Sequence, residues 1–419
     1  MLDAVIVGGG LAGLTAARTL QAAGARLLVL EKENRLGGRL WTHPGTDTKQ
    51  KPHELGAQFF SRHFQAVWQL ARDLDVPLLP VPFQLQMRIG DEWKQARYDS
   101  WRILFALPGV PWHVRHQLIK LLRDAGNRNF PDRDLAEYAS RYHSSIKEYV
   151  VAPFYQTLFF SKLQGGSAKH FLSHFGSPRS QRIYRPAGGM SQLVDKLAEG
   201  VPVQTGSEVK QILPDQDWIH IRFDTKQGER ELRARYALVS IPGDQVTKIV
   251  DMESLNPDDL QLLQQVRYSG TAVVTVSLKH SCGWCGFGFS VPPKYSCVLA
   301  GGVFYDRQFL CGMLTDDAYE KWRYQSDDRI KDFAVTELCK LFSLNKSHIM
   351  EVNLFRWDSA IPKFIPGMAD SFRQLYGKGI AGGRLFLAGD YLQLGCTEGA
   401  IRSGLEAANL MRKLLGTKG

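Results

Sequence analysis

Three glycines near the start of the chain have the types and spacing of a phosphate cradle. Gly8, Gly10 and Gly13 follow a short apolar run at residues 5–7 and precede an apolar helical segment at residues 14–23. The run is too short to cross a membrane and reads as a buried strand. Gly8 permits the sharp turn out of that strand. Gly10, followed by Leu11 and Ala12, lets a pyrophosphate approach the backbone, and Gly13 lets the helix pack closely on a sheet. The start of the helix then offers unpaired N–H groups and a positive dipole end to phosphate. A second apolar run, residues 27–30, ends at Glu31 and Lys32. Glu31 stands about twenty residues beyond the turn, where a carboxylate can accept from ribose hydroxyls. Dinucleotide binding is the chemistry predicted; the alternative is a glycine-rich turn that holds nothing. These residues leave FAD and NAD both open.

Other side chains that signal catalysis are scattered. The six cysteines in 419 residues do not suggest a disulfide framework. Cys282 and Cys285 form a Cys-x-x-Cys in a Gly- and Phe-rich stretch. A redox motif of this kind opens a helix after a strand, and a zinc site needs a second pair, so the two read as incidental thiols. The eleven histidines show no metal-ligand spacing, and no metal is expected. A redox cofactor carries hydride chemistry itself, so the absence of a triad does not argue against an enzyme.

The chain is long enough for two domains, with 44% hydrophobic and 22% charged residues. Its net charge of +10 favours anionic partners, but no nucleic-acid-binding motif accompanies it. No apolar run reaches transmembrane length, and the opening residues lack a basic leader. A cytoplasmic location is expected, either free or at a membrane surface. Trp101, Ile103, Leu104, Phe105 and Trp112 precede a basic amphipathic helix at residues 113–123. It reads either as a lipid-facing surface or as a helix packed on its neighbours.

Four segments carry a family resemblance. Arg35-Leu36-Gly37-Gly38-Arg39-Leu40-Trp41-Thr42 resembles the second signature of the flavin-containing amine oxidase superfamily. That group includes monoamine oxidases, protoporphyrinogen oxidases and phytoene desaturases. Glu54 to Phe59, with Gly56, Ala57, Gln58 and Phe59, is similar to the segment whose backbone passes the isoalloxazine ring. Residues 385–390, ending in Gly389 and Asp390, and residues 398–404, starting with Glu398, Gly399 and Ala400, are similar to its C-terminal flavin motif. The resemblance implies FAD, with Arg39 serving the phosphates and flavin edge, Val209 meeting the adenine through its backbone, and Asp390 beside the ribityl chain or phosphate. Glu398 is placed by it at the helix end that faces the flavin pyrimidine.

The resemblance also implies a helical insert, residues 134–160, roofing a substrate channel, with Tyr155, Phe159 and Phe160 as lining candidates. True amine oxidases carry a lysine near the flavin on the strand at residues 271–278, where this chain has Thr275. They carry a cage aromatic before Glu-Gly-Ala, where this chain has Gly395-Cys396-Thr397. Thr275, Tyr155, Trp357 and Cys396 are the candidates near the reacting centre. These departures weaken the amine oxidase reading, and the helical insert and Gly389-Asp390-Tyr391 lean toward the protoporphyrinogen oxidase and desaturase branch.

The predicted fold is α/β. A discontinuous Rossmann-like FAD-binding domain takes residues 1–85, 183–243 and 380–419. An α+β substrate domain with the helical insert takes residues 86–182 and 244–379. The predicted function is an FAD-dependent oxidase, dehydrogenase or desaturase that removes hydride from a hydrophobic or conjugated small molecule. An amine oxidase with an atypical site and a non-catalytic flavoprotein scaffold are the alternatives.

Overall fold

The computed structural model describes residues 1–44, 52–81, 85–96, 107–127, 129–175, 182–280, 286–291, 299–304 and 308–416. Cys282, Cys285 and residues 101–106 lie outside the described residues. The chain opens with β1 (Leu2–Val7), α1 (Leu11–Ala22) and β2 (Leu27–Leu30). β1 pairs in parallel with β2 on one side and with the Gly228–Val239 strand on the other. From Ala4 to Val7 it is buried on both faces, which is why the run is continuously apolar.

Seven strands complete this first sheet. Val203–Gln204 flanks β2, Leu385–Leu387 adds in parallel to Gly228–Val239, and Ile219–Thr225 and Glu208–Pro214 extend it as antiparallel strands. Gly228–Val239 is one strand, where its sequence suggests two short ones. Its first half is an exposed, charged hairpin arm, and its second half enters the core beside β1. Helices Gly243–Ile249, Pro257–Gln265 and Met368–Tyr376 pack against this sheet through Val246, Leu263, Phe372 and Leu375.

The second seven-stranded sheet is centred on Tyr268–Leu278, between Ile349–Pro362 and Phe309–Leu314. Strand alternation divides its faces. Ala272, Val274 and Val276 pack on the Asp327–Phe342 helix, while Val273, Cys311, Met313 and Ala360 join the core of the helical insert. In that insert Asp134 caps Leu135–Ala139, accepting from the N–H groups of Ala136 (2.8 Å) and Glu137 (3.1 Å). The helix expected over residues 146–160 contains a π-helical turn, Lys147–Val151, before Ala152–Phe159. Among the described residues no helix is long and apolar enough to cross a membrane.

Candidate active site

The glycine turn has the geometry its spacing predicts. Gly8 has φ 105°, a conformation that side chains rarely adopt. A Cβ on Gly13 would sit 2.2 Å from the Gly8 carbonyl oxygen and 2.4 Å from Ser240 Oγ. A Cβ on Gly10 would meet nothing within 4 Å, so open space stands over the turn. Gly10 is also the N-cap residue of α1, with no side-chain cap and no acidic residue in the first turn. Its N–H groups and dipole are therefore left for an anion. Glu31, 6% exposed, accepts from the Gly9 N–H (2.7 Å) and the Glu33 N–H (2.9 Å). The carboxylate thus holds the turn as well as facing the nucleotide end.

Arg39 and Asp390, 351 residues apart, form a two-pronged ion pair with N···O distances of 2.9 and 2.8 Å. Arg39 also donates to the Ala360 carbonyl (2.8 Å). The pairing with Asp390 raises the pKa of its guanidinium further despite desolvation. Gly56 lies so close to the Arg39 backbone that a Cβ would be 2.0 Å from its carbonyl oxygen. Trp357 donates its indole N–H to the Leu55 carbonyl (2.7 Å), and Trp41, Phe355 and Trp357 pack in sequence with ring centroids 4.5 Å apart. Glu54, fully buried, accepts from the Met190 N–H and the Thr42 hydroxyl; burial pushes its carboxyl up to about 7.

One cavity of about 1280 Å³ joins these parts. Ordinary small-molecule sites run to roughly 300–1,000 Å³, so there is room for a dinucleotide and a substrate together. Its wall includes Gly8, Gly10, Leu11, Ala12, Glu31, Lys32, Gly37, Gly38, Arg39, Leu40, Gly56, Ala57, Gln58, Phe59, Val209, Gly389, Asp390 and Ala400. The open turn, the uncapped helix and the nucleotide-end carboxylate fit the pyrophosphate and ribose of FAD. At the other end the wall is apolar: Phe154, Leu158, Phe159, Phe160, Ile183, Met313, Phe355 and Trp357.

Gly13 takes the packing role its spacing predicts, and four other candidates lie away from the cavity wall. Gly13 and Gly399 are packing positions; a Cβ on Gly399 would be 1.9 Å from the Leu394 carbonyl oxygen. Glu398 is 1% exposed and does not line the cavity. It accepts from the Val67 N–H (3.1 Å) and pairs with Arg402, which places it at the Gln65–Asp73 helix start. Thr275 is buried outside the cavity, whose wall on this strand is Thr271 and Val273. Tyr155 is core, packed on Phe159 and Phe171, and burial raises its hydroxyl to about 12. Trp357 and Cys396 do reach the wall, and burial pushes the Cys396 thiol up to about 12. Sequence reasoning missed His63, His174 and Phe355. Only Phe355 had a signal, standing two residues from Trp357 on one strand face.

A mostly parallel sheet with a phosphate turn, joined to a second sheet by one cavity, defines a dinucleotide-binding α/β protein. The family model for flavin-containing amine oxidoreductases matches residues 11–412, and the chain belongs to that family. It is thus an FAD-dependent oxidoreductase of the amine oxidase superfamily. Residues of the chain are 29% identical over 253 positions to the lysine-specific histone demethylase 1 homolog 2 of Oryza sativa, covering 57% of this chain and 32% of that protein. They are 26% identical over 301 positions to the flavin-dependent L-tryptophan oxidase RebO of Lentzea aerocolonigenes, covering 63% of each. The chain thus spans less than two thirds of the length of either relative. In fold it is similar to the cyclohexylamine oxidase of Brevibacterium oxydans, with a TM-score of 0.80, 18% identity and 99% of each chain covered. A protein described as a protoporphyrinogen oxidase, from Exiguobacterium, gives a TM-score of 0.77 at 18% identity, again over 99% of each chain.

Proposed function

We propose that the enzyme removes hydride from a neutral, hydrophobic or conjugated small molecule. The observation that carries this reading is the apolar end of the cavity, where the strand nearest the aromatic wall contributes Thr271 and Val273 and no lysine. Bound FAD supplies the hydride acceptor. The chain's residues bind and orient: the Gly8–Gly13 turn and Glu31 hold the nucleotide end, and the Arg39–Asp390 pair fixes the segment that passes the ring. Phe159, Phe160 and Trp357 exclude water from the substrate end, which strengthens every electrostatic contact there. In this proposal residues 1–85, 183–243 and 380–419 form the FAD-binding part. Residues 243–266 and 368–376 are added to it, since their helices pack on the same sheet.

The test is anaerobic bleaching of the flavin. Porphyrinogens or polyenes should bleach it. Bleaching by primary or secondary amines alone would establish the second reading, an amine oxidase without the cage aromatic. The absence of bleaching by any organic donor would leave a reductase or a scaffold. Peripheral membrane contact is part of the proposal: Trp112 is 82% exposed and Ile119 52% exposed beside Lys120 on the basic helix His116–Gly126.

A further inference from the structure

We propose that the Gln58 side chain is the polar anchor of the substrate end, an acceptor for a substrate N–H or O–H, and not a cofactor contact. This rests on the reading that an apolar substrate fills that end of the cavity. Gln58 sits in the cavity wall with Met313, Val273 and Trp357. Its amide nitrogen lies 3.1 Å from Cys311 Sγ and 3.7 Å from Met313 Sδ. A thioether accepts and cannot donate, so the amide is oriented with its NH₂ toward the sulfurs. The reverse orientation would set the carbonyl oxygen against the Met313 lone pairs.

Burial raises the Cys311 thiol to about 12, so it stays a neutral wall behind the amide. Gln58 Oε1 accepts no hydrogen bond among the described residues, and it is not one of the buried polar atoms sealed from all contact. The oxygen is therefore held facing the cavity by sulfur contacts on the other end of the amide.

The charge pattern around it narrows the ligand. Arg356 lines the cavity but turns its guanidinium to the carbonyls of Arg323 and Gln325 and to Asp327. Asp358 is taken by Tyr319 and Arg323. Arg39 is engaged by Asp390 and Ala360. Arg35, stacked over Trp41 and Trp357, donates to the carbonyls of Leu36, Gly38 and Leu40, so the surface beside Gln58 is mainly aromatic, aliphatic and sulfur. Such a site selects a neutral molecule with an N–H or O–H donor, such as a pyrrole-type ring nitrogen or a neutral amine. It gives a substrate carboxylate or a second ammonium no counter-ion.

The experiment uses the yellow holoprotein and two probes of matched shape, indole and benzofuran, which differ in the N–H. Binding is read from perturbation of the flavin visible spectrum. One hydrogen bond predicts indole tighter by about 3- to 10-fold. In Gln58→Met and Gln58→Leu the preference should fall to about 1, with the benzofuran affinity and the FAD content unchanged. Equal binding in the unsubstituted protein, a preference that survives both substitutions, or binding of neither probe would overturn the proposal. Loss of FAD from both variants would also overturn it, returning Gln58 to the cofactor. The titration needs no turnover. A flavin bleached only by reduced nicotinamide, with the indole preference intact, would therefore sink the hydride-removal reading and leave the anchor standing.

Discussion

Glu31 does two jobs with one carboxylate. Its two oxygens hold the Gly9 and Glu33 N–H groups, so the phosphate turn and the ribose end share a single fixed charge. Glu31→Ala leaves both N–H groups without that partner. A charge-assisted hydrogen bond contributes about 1.5–3 kcal/mol, so FAD should bind about 10- to 100-fold more weakly. The ratio of flavin to protein absorbance after dialysis reads this directly, and unchanged occupancy would remove Glu31 from the site. The Arg39–Asp390 pair behaves differently, because breaking a pair that is mostly buried strands a charge. Asp390→Ala should cost about 3 kcal/mol, seen as a lower thermal midpoint. Adding Arg39→Leu to it should cost much less than the sum of the two single changes. Each residue was legible in the sequence, since each belongs to a distinct motif. Their pairing was not, because nothing local links positions 351 residues apart.

Elements carry these residues, and here local pattern was a better guide than position along an element. The 3.6-residue period marked the helices, and the apolar run marked β1. The β-branched run at residues 271–278 also marked a strand, which starts three residues earlier, at Tyr268. The error lay in how far along it the cavity reaches. A strand rises about 3.3 Å per residue, so Thr275, four residues beyond Thr271, has already passed under the cavity into the sheet's core. Glu398 shows the same limit. Its sequence places it just ahead of the last helix; it lies in the first turn of that helix, Thr397–Leu415, and its neighbour is a second helix start, Gln65–Asp73, brought in by tertiary packing. Glu398→Ala should therefore lower stability by about 1–3 kcal/mol and speed amide exchange at Val67, while the flavin spectrum stays the same. A shifted spectrum with unchanged exchange would return Glu398 to the flavin. At the basic helix His116–Gly126 and the Trp112–Val114 turn before it, Trp112→Ser combined with Lys120→Glu should reduce co-sedimentation with phosphatidylglycerol vesicles several-fold. Equal sedimentation would discard the membrane contact.

At the scale of the whole molecule, buried titratable groups set opposing slopes of stability against pH. His170 and His174 lie on the Ala168–Phe175 helix, and His170 is stacked on Phe364 at 3.8 Å. Desolvation lowers both, His174 to about 4 and His170 well below its ordinary value. Both stay neutral in the native state, while in the unfolded chain they take up protons as the pH falls below about 6.5. Their stabilisation is therefore present above about 6.5 and is lost as the pH falls toward 4. Glu54 acts in the opposite sense. Its native pKa of about 7 exceeds the ordinary 4.5, so its contribution is present below 4.5 and is lost as the pH rises through 7. At about 1.4 kcal/mol per unit, the His174 and Glu54 shifts, fully expressed, are each on the order of 3 kcal/mol. Two histidines outweigh one carboxyl, so the thermal midpoint of the holoprotein, followed by release of flavin fluorescence, should rise between pH 4.5 and 6.5. His170→Phe combined with His174→Phe keeps the aromatic packing and removes the titrations. In that variant the rise should shrink markedly, because His63, also lowered by desolvation, is left alone to oppose Glu54. Glu54→Gln should instead steepen the wild-type rise. A midpoint that is flat in all three proteins would mean that these groups reach water in the native state.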